Sequence, residues 1–226
     1  LKTNKKKYCL IHGKEINHNK GSSINKRITK VLDNVEKVIA NSEYSKNLAI
    51  EIGIKKEKII VINPGIDLIK DLDNKSLDKV ESLLSVKSPR LITVSRFVKE
   101  LDLEAQVMFF KDISDDLKNA LVAKSNIFVM PSVIHKSSVE GFGIAYTEAA
   151  QYGIPSIGGK DGGASDAIDH EKTGLICDGN NLDEIYSSIN LMLENKKYLE
   201  YGKNAKNSVS KFYWSNIVEQ YKDILN

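Results

Sequence analysis

Cysteine is scarce. Among 226 residues only Cys9 and Cys177 occur, too few and too far apart in sequence for a disulfide framework or a thiolate metal site. Both are expected to be free thiols. No apolar run approaches the ~20 residues of a membrane-spanning helix, and the opening LKTNKKKY has no signal-peptide core. A soluble, cytoplasmic protein is the expectation. Aromatic-interleaved basic runs and zinc-finger spacings are missing too, which argues against a nucleic-acid partner. Internal repeats and low-complexity tracts are likewise absent. The first residue is Leu1 rather than Met, which implies an upstream piece.

What is present suffices for one good core or two small ones, with 41% hydrophobic and 28% charged residues. The formal net charge of +3 conceals an uneven distribution, because residues 1–30 hold nine Lys or Arg against Glu15 alone. A basic end of this kind meets an anionic membrane or a charged acceptor, at about 1 kcal/mol per basic residue near the surface, or it is a solvated lysine-rich face.

Taken in order, strand and helix signals alternate at short spacing, which predicts an α/β chain with parallel sheets. Tyr8 to Ile11 reads as a strand that ends in His12-Gly13. Ile28, Val31, Leu32 and Val35 follow helical spacing, and Val38 to Ala40 forms the next strand. Ser42 caps a helix that Gly53 stops, and Ile59 to Ile62 is a strand ending in the turn Asn63-Pro64-Gly65. The polar stretch Asp67 to Ser88 reads as a linker or a surface helix. Leu91 to Val94 opens a second series of strands, with Gln106 to Phe110 as its next member. Ser114 caps a helix running to about Lys124, and Ile127 to Met130 is a buried strand. Pro155 to Gly158 and Leu175 to Cys177 are strands as well. Helices are predicted over Leu182–Leu193, from about Lys197 to Lys211, and over Ser215–Leu225, the last burying Ile217, Tyr221 and Ile224 on one face.

The stretch VEGFGIAYTEAAQYGIPSIGGKDGG, Val139 to Gly163, organises the rest. Glu140 lies just before a helix that starts at Ile144, and Glu148 lies over a turn inside it, roughly 8 Å along the axis. Between them Gly141 and Gly143 let an anion approach the unpaired N–H groups and partial positive charge of the helix start. The backbone from Phe142 through Gly143 to Ile144 is therefore a phosphate seat. Carboxylates repel phosphate, so Glu140 and Glu148 make sense there only as acceptors for hydroxyls, one on a sugar and one on a ribose. Arg96 is the candidate cation. An isolated acid pair at this spacing is more often surface charge, and a lone histidine such as His12 is more often structural.

The neighbourhood decides. PSVIHKSSVEGFGIAYTEAAQYGIPSIGGKDGGASDAI resembles the donor-binding core of the retaining family-4 glycosyltransferases, whose GT-B fold joins two Rossmann-like domains. The resemblance runs from IHGKE through VIANSEYSKN, NPGID and LITVSRFVKE to FYWSNIVEQY, and is nearest to the phosphatidylinositol mannosyltransferase-like branch. It implies a first, incomplete acceptor-side domain over 1–88 with its linker, a donor-nucleotide domain over 89–212, and a final helix over 213–226 that crosses back to the first domain, anchored by Trp214. His12, Arg96 and Glu140 would then be catalytic, and Phe142, Gly143, Ile144 and Glu148 would bind the donor, a GDP-sugar or UDP-sugar. A glycan or lipid would be the acceptor. No cofactor and no metal is required by the fold resembled, so the DxD of Asp71-Leu72-Asp73 is given no metal role.

Two departures stand out. Relatives carry a lysine about five residues after the arginine, where this chain has Leu101, and most carry a glutamate where this chain has Asp166, which is given no role. Because Gln106 to Phe110 follows Leu91 to Val94 too soon for a parallel crossover, about 40–50 residues, more than one strand–helix–strand unit, are expected to be missing between Glu100 and Leu101. These gaps keep two alternatives alive, a non-catalytic nucleotide-sugar-binding relic and another GT-B enzyme such as a sugar-nucleotide epimerase.

Overall fold

The computed structural model describes residues 6–69, 71–84, 88–94, 108–136 and 138–225. The first sheet is parallel, in the order β1 (Tyr8–Ile11), β2 (Lys37–Ala40), β3 (Ile59–Val61). Its crossovers are α1 (Ser23–Asp33), capped by the Ser22 hydroxyl, and α2 (Glu43–Glu51), capped by Ser42. Each cap oxygen takes one of the helix-start N–H groups that would otherwise lack a partner. β2 is buried on both faces, as expected of a central parallel strand. Val38 and Ala40 pack with Ile11, Leu32, Ala49 and Ile59, and the opposite face of the sheet sets Ile39 against Ile62 and Ile217.

The second sheet, β4 (Leu91–Ile92), β5 (Ile127–Met130), β6 (Ser156–Gly159), β7 (Gly174–Cys177), is parallel in that order. One face meets α5 (Ile144–Gln151) and the short α6 (Ala164–Ala167), through Phe128, Tyr146, Ala149 and Ile168. The other meets α7 (Leu182–Leu193), through Ile127, Ile157, Leu175 and Met192. α8 (Lys197–Ser208) follows, and a 3-10 turn, Val209–Phe212, leads into α9 (Trp214–Leu225). α9 lies back on the first sheet. Ile217 is 1% exposed there, and Trp214 stacks so closely on Gly65 that a Cβ at that glycine would come 2.3 Å from the indole.

The stretch Asp67 to Ser88, expected to be a linker or a surface helix, contains α3 (Asn74–Leu83), a surface helix whose Val80 packs fully buried against Leu117, Ala120 and Leu121 of α4 (Asp115–Ala123). Its N-cap is Asp73, whose carboxylate accepts from Ser76 N–H at 2.9 Å. One expectation needs correction: of the expected strand Gln106 to Phe110, the described residues Met108, Phe109 and Phe110 are exposed and irregular, and β4 pairs parallel with β5, while Gln106 and Val107 lie outside the described residues. A short apolar run has no period that separates strand from loop or buried helix. Arg96 and the Glu100–Leu101 junction lie outside the described residues.

Candidate functional site

The carboxyl ends of the two sheets face each other and are joined by glycine loops. His12, just past β1, is exposed, its side-chain Nδ1 3.9 Å from Glu15 Oε1, and its backbone N–H donates to the same carboxylate. Against its carbonyl lies Gly141, where a Cβ would come 2.2 Å from His12 O and 2.9 Å from Asn41 Nδ2. Only hydrogen fits there. Gly163 N–H donates to Glu140 O at 2.8 Å, and a Cβ on Gly163 would stand 2.1 Å from Gly141 O. Gly162 adopts φ +101°, a conformation open to glycine at little cost, and touches the same Glu140 carbonyl. The loops at 12–13, 139–143 and 159–163 thus interlock backbone to backbone. In open parallel sheets this is the crevice where ligands bind.

The helix start predicted at this crevice is present. Gly143 caps α5 in the left-handed region (φ 86°, ψ 63°) without a side-chain hydrogen bond. The Tyr146 ring occupies the space that a side chain at Gly143 would need, its hydroxyl donates to Met130 O at 2.6 Å, and burial pushes its phenol well above the ordinary value. Ile144 is half exposed at the mouth. Phe142 is turned the other way, 2% exposed, with its ring edge-on to Phe212 at 5.3 Å, so only its backbone is available to a ligand. Glu140 is half-buried in the loop itself. Glu148, on α5, remains 43% exposed, and Lys118 Nζ of α4 lies 3.7 Å from its Oε2 and 3.5 Å from Asp115 Oδ1.

Two features escaped the sequence reading. Asp166 bridges the sheets: its Oδ2 accepts from Glu43 N–H at 2.8 Å and from Asn63 Nδ2 at 3.2 Å, while Asn63 Nδ2 also donates to Asn41 O at 3.1 Å. Burial pushes the Asp166 carboxyl up, with the Glu43 carboxylate adding to the shift and its hydrogen bonds and Lys211 opposing it. Lys118 beside Glu148 is the other, a cation no spacing announces. As for metals, Asp73 is committed to capping α3, and among the described residues no group of three or more His, Cys, Asp or Glu could hold an ion. Cys9 and Cys177 are free thiols in separate sheets.

Two helix-covered parallel sheets, meeting through their carboxyl ends with a glycine-bounded helix start at the junction, define the GT-B class of fold. The sequence matches the family described as Glycosyl transferases group 1 over residues 66–208, and Glycosyltransferase Family 4 over residues 2–70. The chain belongs to the glycosyl transferases group 1 family. It is 28% identical over 141 residues to the GDP-mannose-dependent alpha-(1-6)-phosphatidylinositol monomannoside mannosyltransferase of Mycobacterium tuberculosis, covering 61% of this chain and 37% of that protein. With the N-acetyl-alpha-D-glucosaminyl L-malate synthase of Bacillus anthracis it shares 28% identity over 211 residues, 88% of this chain and 54% of the relative. The chain thus spans about half or less of the length of these relatives. Among solved structures, a glycosyltransferase from Rickettsia africae ESF-5 superposes with TM-score 0.79 at 19% identity, covering 99% of this chain and 70% of that one. HepE of Anabaena in complex with UDP-glucose superposes with TM-score 0.75 at 20% identity, covering 96% and 71%.

Proposed function

We propose that the protein is a retaining glycosyltransferase that moves a hexose, of mannose or glucose type, from a nucleoside diphosphate sugar to a hydroxyl of a lipid, glycan or small-molecule acceptor. The observation that carries this reading is the interlock of His12, Glu140–Gly143 and Gly162–Gly163 at the facing carboxyl ends of the two sheets. Glu148 accepts from the ribose hydroxyls and Glu140 from the sugar, and His12 faces the sugar from the opposite sheet. The backbone of Phe142–Ile144 and the α5 dipole meet the diphosphate together with Arg96. In the transfer step the bond from the anomeric carbon to the diphosphate oxygen breaks and the acceptor oxygen bonds that carbon on the same face. The acceptor proton passes to the departing diphosphate oxygen. Donors already aimed at the developing diphosphate charge contribute about 3–4 kcal/mol each to such a step. No protein nucleophile, cofactor or metal takes part.

The acceptor side is read from the basic first segment. α1 presents Lys26, Arg27 and Lys30 alongside Ile24 and Val31, which are 53% and 58% exposed. That combination suits the inner face of an anionic cytoplasmic membrane. Among the described residues no helix is long and apolar enough to cross one. A donor screen of the full-length protein with GDP- and UDP-sugars, following release of GDP or UDP in the presence of lipid and glycan acceptors, tests the proposal. Turnover of one donor is expected. Tight nucleotide binding without turnover would leave a binding module, and turnover with inversion at the anomeric carbon would refute the retaining step.

A further inference from the structure

Apart from the interlocked loops, a recess of about 500 Å³ opens along α1 toward the end of α2. Its lining includes Lys20, Asn25, Lys26, Thr29 and Lys30, with Asp33 as the one acid. Asn25 is 5% exposed, and Gly21 N–H donates to its Oδ1 at 3.0 Å, which fixes the amide so that Nδ2 is left over. That Nδ2 is buried and has no hydrogen-bond partner. A buried donor without an acceptor costs about 1–3 kcal/mol, and protein interiors rarely keep one without a reason. Thr29 donates its hydroxyl to Asn25 O at 3.0 Å and so holds this turn in place. Around it, Lys20, Lys26 and Lys30 make no ion pair with a carboxylate among the described residues. Three ammonium groups against one carboxylate leave a surplus of two positive charges over an unsatisfied donor. The matching ligand carries two negative charges and several acceptor oxygens.

We propose that this recess binds a phosphate group, presented as free phosphate or as the phosphomonoester headgroup of a lipid. The site is distinct from the sugar-transfer crevice, and its test reads binding rather than turnover, so failure of the donor screen leaves it standing. The full chain, labelled with nitrogen-15, is titrated with inorganic phosphate against chloride at matched ionic strength while the Asn25 side-chain amide is followed by NMR. In a second arm the chain is sedimented with phosphatidylcholine vesicles with and without phosphatidic acid. A saturable shift of the Asn25 amide with phosphate alone is expected, weakened tenfold or more in the exposed double variant Lys26→Gln/Lys30→Gln. Asn25→Asp keeps the acceptor for Gly21 but puts a carboxylate in place of the donor, and should abolish the saturable phosphate shift that the parent shows at the backbone amides of Gly21 and Thr29. Sedimentation only with phosphatidic acid, lost in the lysine double variant and competed by phosphate, assigns the headgroup; saturation by phosphate without sedimentation assigns the free anion. No saturable shift, or the same shift in the lysine double variant, overturns the proposal.

Discussion

Replacing Gly141 by alanine places a methyl carbon 2.2 Å from the carbonyl oxygen of His12 and 2.9 Å from Nδ2 of Asn41, both nearer than the 3.0 Å below which something must shift. Neither neighbour is a flexible side-chain end that swings away freely: one is backbone, and Asn41 Oδ1 is held by the Ser45 hydroxyl at 2.6 Å. The loop at 139–143 or the turn after β1 must therefore move, and overpacking of this kind costs about 1–3 kcal/mol. For a chain of this size each kcal/mol lowers Tm by about 2–4 °C, so a drop of about 2–12 °C is expected. Gly53→Ala is the control. Unlike Gly141 it has a positive φ, +103°, and nothing lies within 4 Å of its Cβ, so it suffers backbone strain of about 1–2 kcal/mol and no clash. Differential scanning calorimetry gives both stabilities, and titration with GDP and UDP gives the effect on the crevice. Gly141→Ala should weaken nucleotide binding and Gly53→Ala should leave it unchanged. If Gly141→Ala melts with the parent and binds as the parent does, the three loops do not interlock as described.

Asp166→Asn keeps an acceptor for Glu43 N–H and Asn63 while removing the charge. Because burial raises the Asp166 carboxyl in the folded protein, its stability contribution is complete below the ordinary aspartate value of about 4 and is lost as pH rises through the raised folded value. Melting curves across that window should show the variant's Tm rising relative to the parent's as pH rises toward neutral, and a variant Tm that falls relative to the parent's would contradict the assignment. Ile217→Ala empties a site packed against Ile39 and Ile62 and is expected to cost about 2–5 kcal/mol in urea unfolding; a loss under about 1 kcal/mol would mean that α9 does not pack on the first sheet.

Local signals made most elements legible. Ser42 followed by a helical run that Gly53 ends gave α2, Ser114 followed by two aspartates gave α4, and α7 has the bounds its periodicity predicts. The short apolar runs Val38 to Ala40 and Ile127 to Met130 marked β2 and β5 as strands. What stayed hidden depends on partners far away in the chain. The Asp166 bonds to Glu43 and Asn63 span 123 and 103 positions, the approach of Lys118 to Glu148 joins two helices, and the packing of α3 on α4 turns a polar stretch into part of the second layer. The expected strand Gln106 to Phe110 misled at Met108 to Phe110, where no period distinguishes a short apolar run. Asn25, in a helix with an ordinary polar pattern, gave no sign of its buried amide.

The central claim is that Glu148 holds the nucleotide and Glu140 the sugar. Truncating Glu148 removes an exposed pair with Lys118, a contact worth about 0–1 kcal/mol to the fold, but takes a charged acceptor from the ribose, worth about 1.5–3 kcal/mol of binding. Isothermal titration of the parent, Glu148→Ala and Glu140→Ala with GDP and UDP measures this directly. One nucleotide should bind the parent, about tenfold or more weakly to Glu148→Ala, and with parental affinity to Glu140→Ala, which should nonetheless have lost transfer. Equal affinity of all three proteins for that nucleotide, or an equal loss in both variants, would contradict the account.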